Sequence, residues 1–388
     1  MIIVRLIFGL LLIIALSSVD AAAGRNIIIE SDLKNNDEIK TVMVSYNRVE
    51  GFFLALGIPK EYNDYYGLGS KLTFYGSIGY GLSNDKIRYR AGLTRKFLGK
   101  NSLELGIESF DLTQTEDLWV IPQDENTINA FFFHEDYHDF YRSWGSAIYG
   151  RQKIGNILSI EAGYRQENHE DMKVEKDWSL FRQRKNFREN PLIQAGDYKN
   201  TYLSVELGKS RKLKNWNASL EVELNSDLIS DDMPDYERYI LSVSKYQRLG
   251  RNDEVNFRVR YGTTFGSVPD QKKFDLGGIG TLRGYGYKQF QNGDKMILIN
   301  TEYITDGDAI TGLEFLPIFN DFEVAFFVDA GIVWSDERDL PEISELMRNI
   351  GFGLQSDDGT FRIDFAKPLD GPEDEREVVV TFRINRMF

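Results

Sequence analysis

Several stretches of the chain carry residue types at spacings that could do chemistry. His134-Glu-Asp-Tyr-His138 is a literal H-E-x-x-H, the zinc-protease pattern. That chemistry requires a helix to bring both imidazoles to one face, plus a third ligand and an open position for water. Glu161 and Glu170 are the candidate third ligands, but the flanking Ala130-Phe-Phe-Phe133 and Asp139-Phe-Tyr141 are aromatic and favour strand. The segment therefore reads as a loop packed onto a rim. A serine hydrolase needs a serine beside a histidine, and the 3 histidines all fall in loop-like stretches. Gly278-Ile-Gly-Thr-Leu-Arg283 opens like a dinucleotide fingerprint but lacks the third glycine and the helix that must follow. The acidic run over residues 227–237 reads as a solvated external loop, with a divalent-cation contact as the other reading. No catalytic residue, metal site or cofactor is assigned, and the chain is not expected to be an enzyme.

The glycine-rich run has a mechanical reading instead. Gly277, Gly278, Gly280 and Gly284 fall between Phe274 and Tyr285, with Leu282 and the single cation Arg283 near the end. So many glycines weaken a strand and leave little side chain to pack. Alternating segments lie on both sides, at residues 255–261 and 296–303. The run is thus the middle of a long loop, and its apolar residues suit a loop that packs against something.

The elements that would position it follow from the rest of the chain. Residues 1–23 combine Arg5, an apolar run from Leu6 to Leu16 and Ala21-Ala-Ala23, which reads as a secretory signal peptide cleaved near Ala23. Residues 24–38 form a short periplasmic extension, and residues 39–388 a single barrel domain. With a net charge of -14, sequence-independent nucleic-acid binding is excluded, since that rests on Lys and Arg neutralising phosphates. Aromatics make up 13 % of the chain, which suits the girdles of an outer-membrane barrel in contact with lipid.

Period-two alternation marks about sixteen strands, with mostly long connections on one side and short ones on the other. The expected fold is an all-β transmembrane antiparallel barrel in the bacterial outer membrane. Residues 111–141 and 166–199 are expected to be long irregular connections. In the last strand Val378, Val380, Phe382, Ile384 and Phe388 share one face, and the chain stops on an aromatic. That ending resembles the signal by which the outer-membrane assembly machinery selects its clients, so this machinery is an expected partner during biogenesis. A lumen of this size needs a plug, and the Arg283 loop is the candidate. Its guanidinium needs a carboxylate there. Asp329 points inward from residues 326–334, and Glu302 on the preceding strand is the rival partner.

Leu276-Gly-Gly-Ile-Gly-Thr-Leu-Arg-Gly-Tyr285 and Phe327-Val-Asp-Ala-Gly331 resemble the two signature motifs of the BamA/TamA superfamily. Arg362-Ile-Asp-Phe-Ala-Lys-Pro368 and the aromatic terminus resemble it too. The resemblance implies a sixteen-stranded barrel that inserts or translocates proteins, or lipid-linked substrates, for an unknown client. It implies that Arg283 pairs with Asp329, and that a seam between first and last strands opens or the lumen loop shifts. The short stretch before Thr41 leaves no room for POTRA domains, so the chain resembles the POTRA-less branch. A passive pore or structural surface antigen that keeps only the architecture is the alternative.

Overall fold

Alternation along each strand decides the architecture, because side chains one residue apart face opposite sides of a sheet. Residues 39–60, 72–97, 102–155, 157–182, 184–208, 215–225, 235–249, 253–306, 322–335, 341–356, 360–372 and 376–384 are described by the computed structural model. The stretch that reads as a signal peptide, the expected extension through residue 38, and Phe388 lie outside them.

The wall begins with β1 (Val42–Asn47), β2 (Gly51–Ile58), β3 (Leu72–Gly81), β4 (Lys86–Phe97), β5 (Leu103–Gln114) and β6 (Tyr141–Ile154). It continues through β7 (Leu158–Asp171), β8 (Gly196–Leu207), β9 (Trp216–Asn225), β10 (Tyr236–Arg248) and β11 (Glu254–Gly266). A small two-stranded sheet, β12 (Phe274–Leu276) with β13 (Phe290–Gly293), interrupts the sequence inside the next connection. Then come β14 (Lys295–Asp306), β15 (Phe322–Trp334), β16 (Met347–Ser356), β17 (Phe361–Pro368) and β18 (Val379–Ile384). The wall strands form one 16-stranded sheet in which sequence neighbours pair antiparallel throughout.

One face of this sheet is apolar and exposed. Leu54 and Leu56 on β2, Phe74 and Ile78 on β3, and Phe326 and Val328 on β15 lie there. The opposite face holds buried charge and tyrosine, including Arg88, Glu104, Tyr75, Arg238, Glu302 and Asp329. That inversion of the soluble-protein rule is what a lipid-facing wall around a polar lumen demands. Gly92 shows how the lumen is fitted out: a methyl there would strike the ring of Tyr75, so glycine lets the aromatic lie flat against the wall.

Two expectations need correction. β5 runs on to Gln114 and β7 to Asp171, past the ends that alternation marked near residues 110 and 164. The β5–β6 connection is also not irregular throughout, and its aromatic run is not strand. It contains the helix α1 (Gln123–Ile128), continued by a π turn over Asn129–Phe133. Those phenylalanines find burial against Tyr46, Phe52, Phe187 and Trp178 rather than a strand edge. Tertiary packing thus overrides a local strand preference that is mostly a preference for half-buried surface.

Candidate functional site

The connection from β11 to β14 folds inward, and its glycines let it. Gly277, Gly278 and Gly280 sit at φ of 126°, 80° and 75°, a region costly for any residue with a Cβ. A methyl on Gly278 would stand 2.7 Å from the Cα of Tyr287, so the turn could not close. Leu276, Leu282 and Tyr285 then bury against Ile240, Met296 and Leu298 of the wall. Apolar packing therefore seats the loop, and the seat delivers Arg283.

Arg283 is 3 % exposed and each of its guanidinium nitrogens is engaged. Nε and Nη2 donate to the two oxygens of Asp329 at 2.9 and 2.6 Å, a bidentate fork. Its backbone N–H adds a third bond to Asp329 at 3.3 Å. Nη1 reaches Glu302 Oε1 at 2.5 Å. Below the plane lies the ring of Phe327, its centroid 3.5 Å from Cζ, a cation–π contact. Burial works against the charge, but Asp329 and then Glu302 outweigh it and hold the Arg283 pKa above its ordinary value.

Strand register assembles the receptor. Asp329 stands directly across from Asn300 on one side and Asn349 on the other. Both asparagine amides donate to it, at 2.7 and 2.8 Å. One step along, Phe327 lies between Glu302 and Gly351, and a methyl on Gly351 would strike its ring. Gly331, two residues beyond Asp329, faces the same side, where a Cβ would come within 3.2 Å of Leu276 of the loop. Gly351 of β16 therefore makes room for the ring, and the motif's Gly331 for the loop.

The two rival carboxylates are both used. Asp329 holds the fork, while Glu302 is shared with Arg362, whose Nη2 lies 2.7 Å away. Arg362 Nε in turn binds Asp364 at 2.7 Å. Arg362, Asp364, Asn300 and Asn349 are members of the cage that sequence reading did not assign. Alternation was the available signal for Arg362 and Asp364, which share an inward face of β17. Gly284 packs against Asn349, and Tyr285 donates to the carbonyl of Arg348 at 2.9 Å. Of the terminal-strand residues, Phe382 and Ile384 lie on β18, across from Ile363 and Phe361, which flank Arg362 of the cage.

The loop does not fill the mouth alone. Lys288 binds Asp117 at 2.8 Å and Asp139 at 2.6 Å, both in the β5–β6 connection, and Asp275 at 3.3 Å. Tyr287 donates to the carbonyl of Tyr137. The histidines of the H-E-x-x-H belong to this second loop and bind elsewhere. His138 Nε2 meets the Ile121 carbonyl at 2.8 Å; His134 lies between Asp177 at 2.7 Å and Ser179 at 2.8 Å. The Ser179–His134–Asp177 contact is a tie between loops, because Ser179 is fully buried and its hydroxyl also donates to Phe181 O. Among the described residues, no group of three or more His, Asp or Glu side chains could hold a metal ion.

Known proteins with related chains now bear on this geometry. A model for the C-terminal domain of a family of unknown function, DUF5686, matches residues 29–205. The outer membrane protein assembly factor BamA of Nitratidesulfovibrio vulgaris is 24 % identical over 265 residues, covering 63 % of this chain. The crystal structure of BamA from Haemophilus ducreyi lacking POTRA domains 1–3 superimposes with a TM-score of 0.54 at 16 % identity. It spans 89 % of this chain and 70 % of that one. The chain has a BamA-like barrel fold. Its place is the bacterial outer membrane. The match covers 32 % of the N. vulgaris protein, so the chain corresponds to about a third of that relative. The described residues of this BamA-like barrel lie in the wall and in the connections attached to it.

Proposed function

We propose that this barrel inserts or translocates proteins at the outer membrane without covalent catalysis, the Arg283 loop being the element whose seating the activity depends on. The observation that carries the reading is Arg283 itself, 3 % exposed and forked onto Asp329 inside the lumen. A guanidinium so enclosed is a registration device, because one seat alone satisfies all its donors. The likeness to an outer membrane protein assembly factor supports an outer-membrane protein as the class of client. A passive pore has less support, since two packed loops occupy the mouth.

Reconstitution tests this directly. Liposomes containing the barrel should accelerate insertion of a small unfolded β-barrel client, read as its heat-modifiable folded band. Arg283→Ala and Asp329→Ala should lose that acceleration. Liposomes that show no acceleration but steady ion conductance would sink the reading in favour of the pore.

A further inference from the structure

The ladder of the wall has a gap. Among the described residues hydrogen-bonded pairing runs from β1 to β18, and no pair joins β18 back to β1. Unpaired edge donors at membrane depth are costly, and here one on each edge strand is bonded. The Tyr46 N–H of β1 donates to Thr127 Oγ1 at 3.3 Å, and the Ile384 N–H of β18 to Glu125 Oε1 at 2.9 Å. Both acceptors belong to α1.

The same segment touches both faces of the wall. On the lumen side Glu125 meets Arg383 at 3.3 Å, and Arg383 stands across from Arg362 of the Arg283 cage. Farther along, Phe131 packs on Tyr46 and on Phe52, each at a centroid distance of 5.5 Å. Phe133 meets Phe382 at 5.7 Å. By alternation those rings share the outward face with Val42, Leu54 and Val380, which are 60 %, 46 % and 58 % exposed. Tyr46 on that face is only 1 % exposed, covered by the segment and by Trp178. A chain that pairs with a lumen cation at one end and covers lipid-facing rings at the other passes through the wall.

We propose that residues 123–133 are a wedge that completes the barrel, standing in for a β18–β1 ladder that the described residues do not form. The wedge is itself braced from outside. Leu180 and Phe181 donate backbone bonds to the carbonyls of Phe131 and Phe132 at 2.7 and 3.0 Å. His134, in a left-handed conformation at the end of the π turn, is held by Asp177 and Ser179. Asn126 binds Asp136, which receives the Arg48 backbone N–H at 2.8 Å. The two sheet edges become free only when the wedge withdraws, so it is an autoinhibitory contact on the seam. It is a property of the wall and holds whether or not the barrel handles clients. If it does, withdrawal precedes exposure of either edge.

The chain has 0 cysteines, so paired spin labels can be placed cleanly at Val42→Cys and Val380→Cys on the exposed faces of β1 and β18. The intact protein in liposomes should give one narrow distance. With Glu125→Ala, Thr127→Ala and Phe131→Ala together, the distribution should broaden or shift by about one strand spacing, ~5 Å. An unchanged distribution would mean that the edges hold each other and would overturn the wedge. Because that variant can fail to assemble, amide exchange on the unaltered chain gives a second reading. Peptides containing Tyr46 and Ile384 should exchange in step with those from residues 123–133. Edges that stay protected while the wedge exchanges freely would overturn it as well. Neither measurement uses a client, so failure of client insertion leaves this result standing.

Discussion

At the scale of the residue, the cage around Arg283 separates charge from geometry. Removing one member of a buried pair strands its partner, at a cost of about 3–5 kcal/mol where water is excluded. Arg283→Ala and Asp329→Ala should therefore lower the temperature of the folded-to-unfolded gel shift and raise or destabilise conductance in planar bilayers. Arg283→Lys should behave more like Ala than like wild type, because lysine keeps the charge but cannot supply the fork that Asp329 receives. Wild-type conductance in the lysine variant would mean that charge alone seats the loop. Exchanging the pair, Arg283→Asp with Asp329→Arg, should restore only part of the function. An arginine at position 329 would face the amides of Asn300 and Asn349, which now donate to a carboxylate. Glu302→Gln should disturb the wall more than the loop, since Glu302 also neutralises Arg362.

At the scale of the element, the β5–β6 connection should be sensitive to pH. Burial pushes the His138 imidazole below its ordinary value of 6.5, although Asp117 and Asp136 pull the other way. The docked loop thus holds a neutral ring, and the undocked loop takes up a proton first. Docking is then at full strength above the ordinary histidine pKa and weakens as pH falls through it. The loss is at most about 1.4 kcal/mol per pH unit in that window. Proteolysis of the connection should accelerate between pH 7 and about 5.5, and His138→Gln should flatten the profile. The same slope in the variant would assign the effect to another group.

At the scale of the whole molecule, the continuous apolar belt and charged lumen require recovery from the outer membrane, with faster gel migration before boiling than after. Soluble periplasmic recovery would contradict the architecture. The terminal strand carries a separate expectation, that deleting Phe388 slows assembly and leaves periplasmic aggregate. Normal membrane yield of the truncated chain would remove that role from the terminus.

Strand number and antiparallel neighbour order were legible in the sequence, because period-two alternation reports directly on a wall with lipid on one side. The inward parity of Asp329 and Glu302 was legible for the same reason, as was the glycine run that lets Arg283 enter the lumen. Alternation could not say which carboxylate takes the fork, and only the family resemblance pointed to Asp329. Both have the right parity, and the choice depends on strand register, which sets Asp329 between two asparagines. The wedge was invisible for a deeper reason. Residues 130–133 carry the composition of a strand, and their helical and π conformation is selected by burial against rings from β1, β2 and the β7–β8 connection. Alternation records what a strand does to its own two faces. What closes the gap between the first strand and the last depends on contacts between residues more than 250 positions apart, such as Glu125 with Arg383, and only the folded wall brings them together.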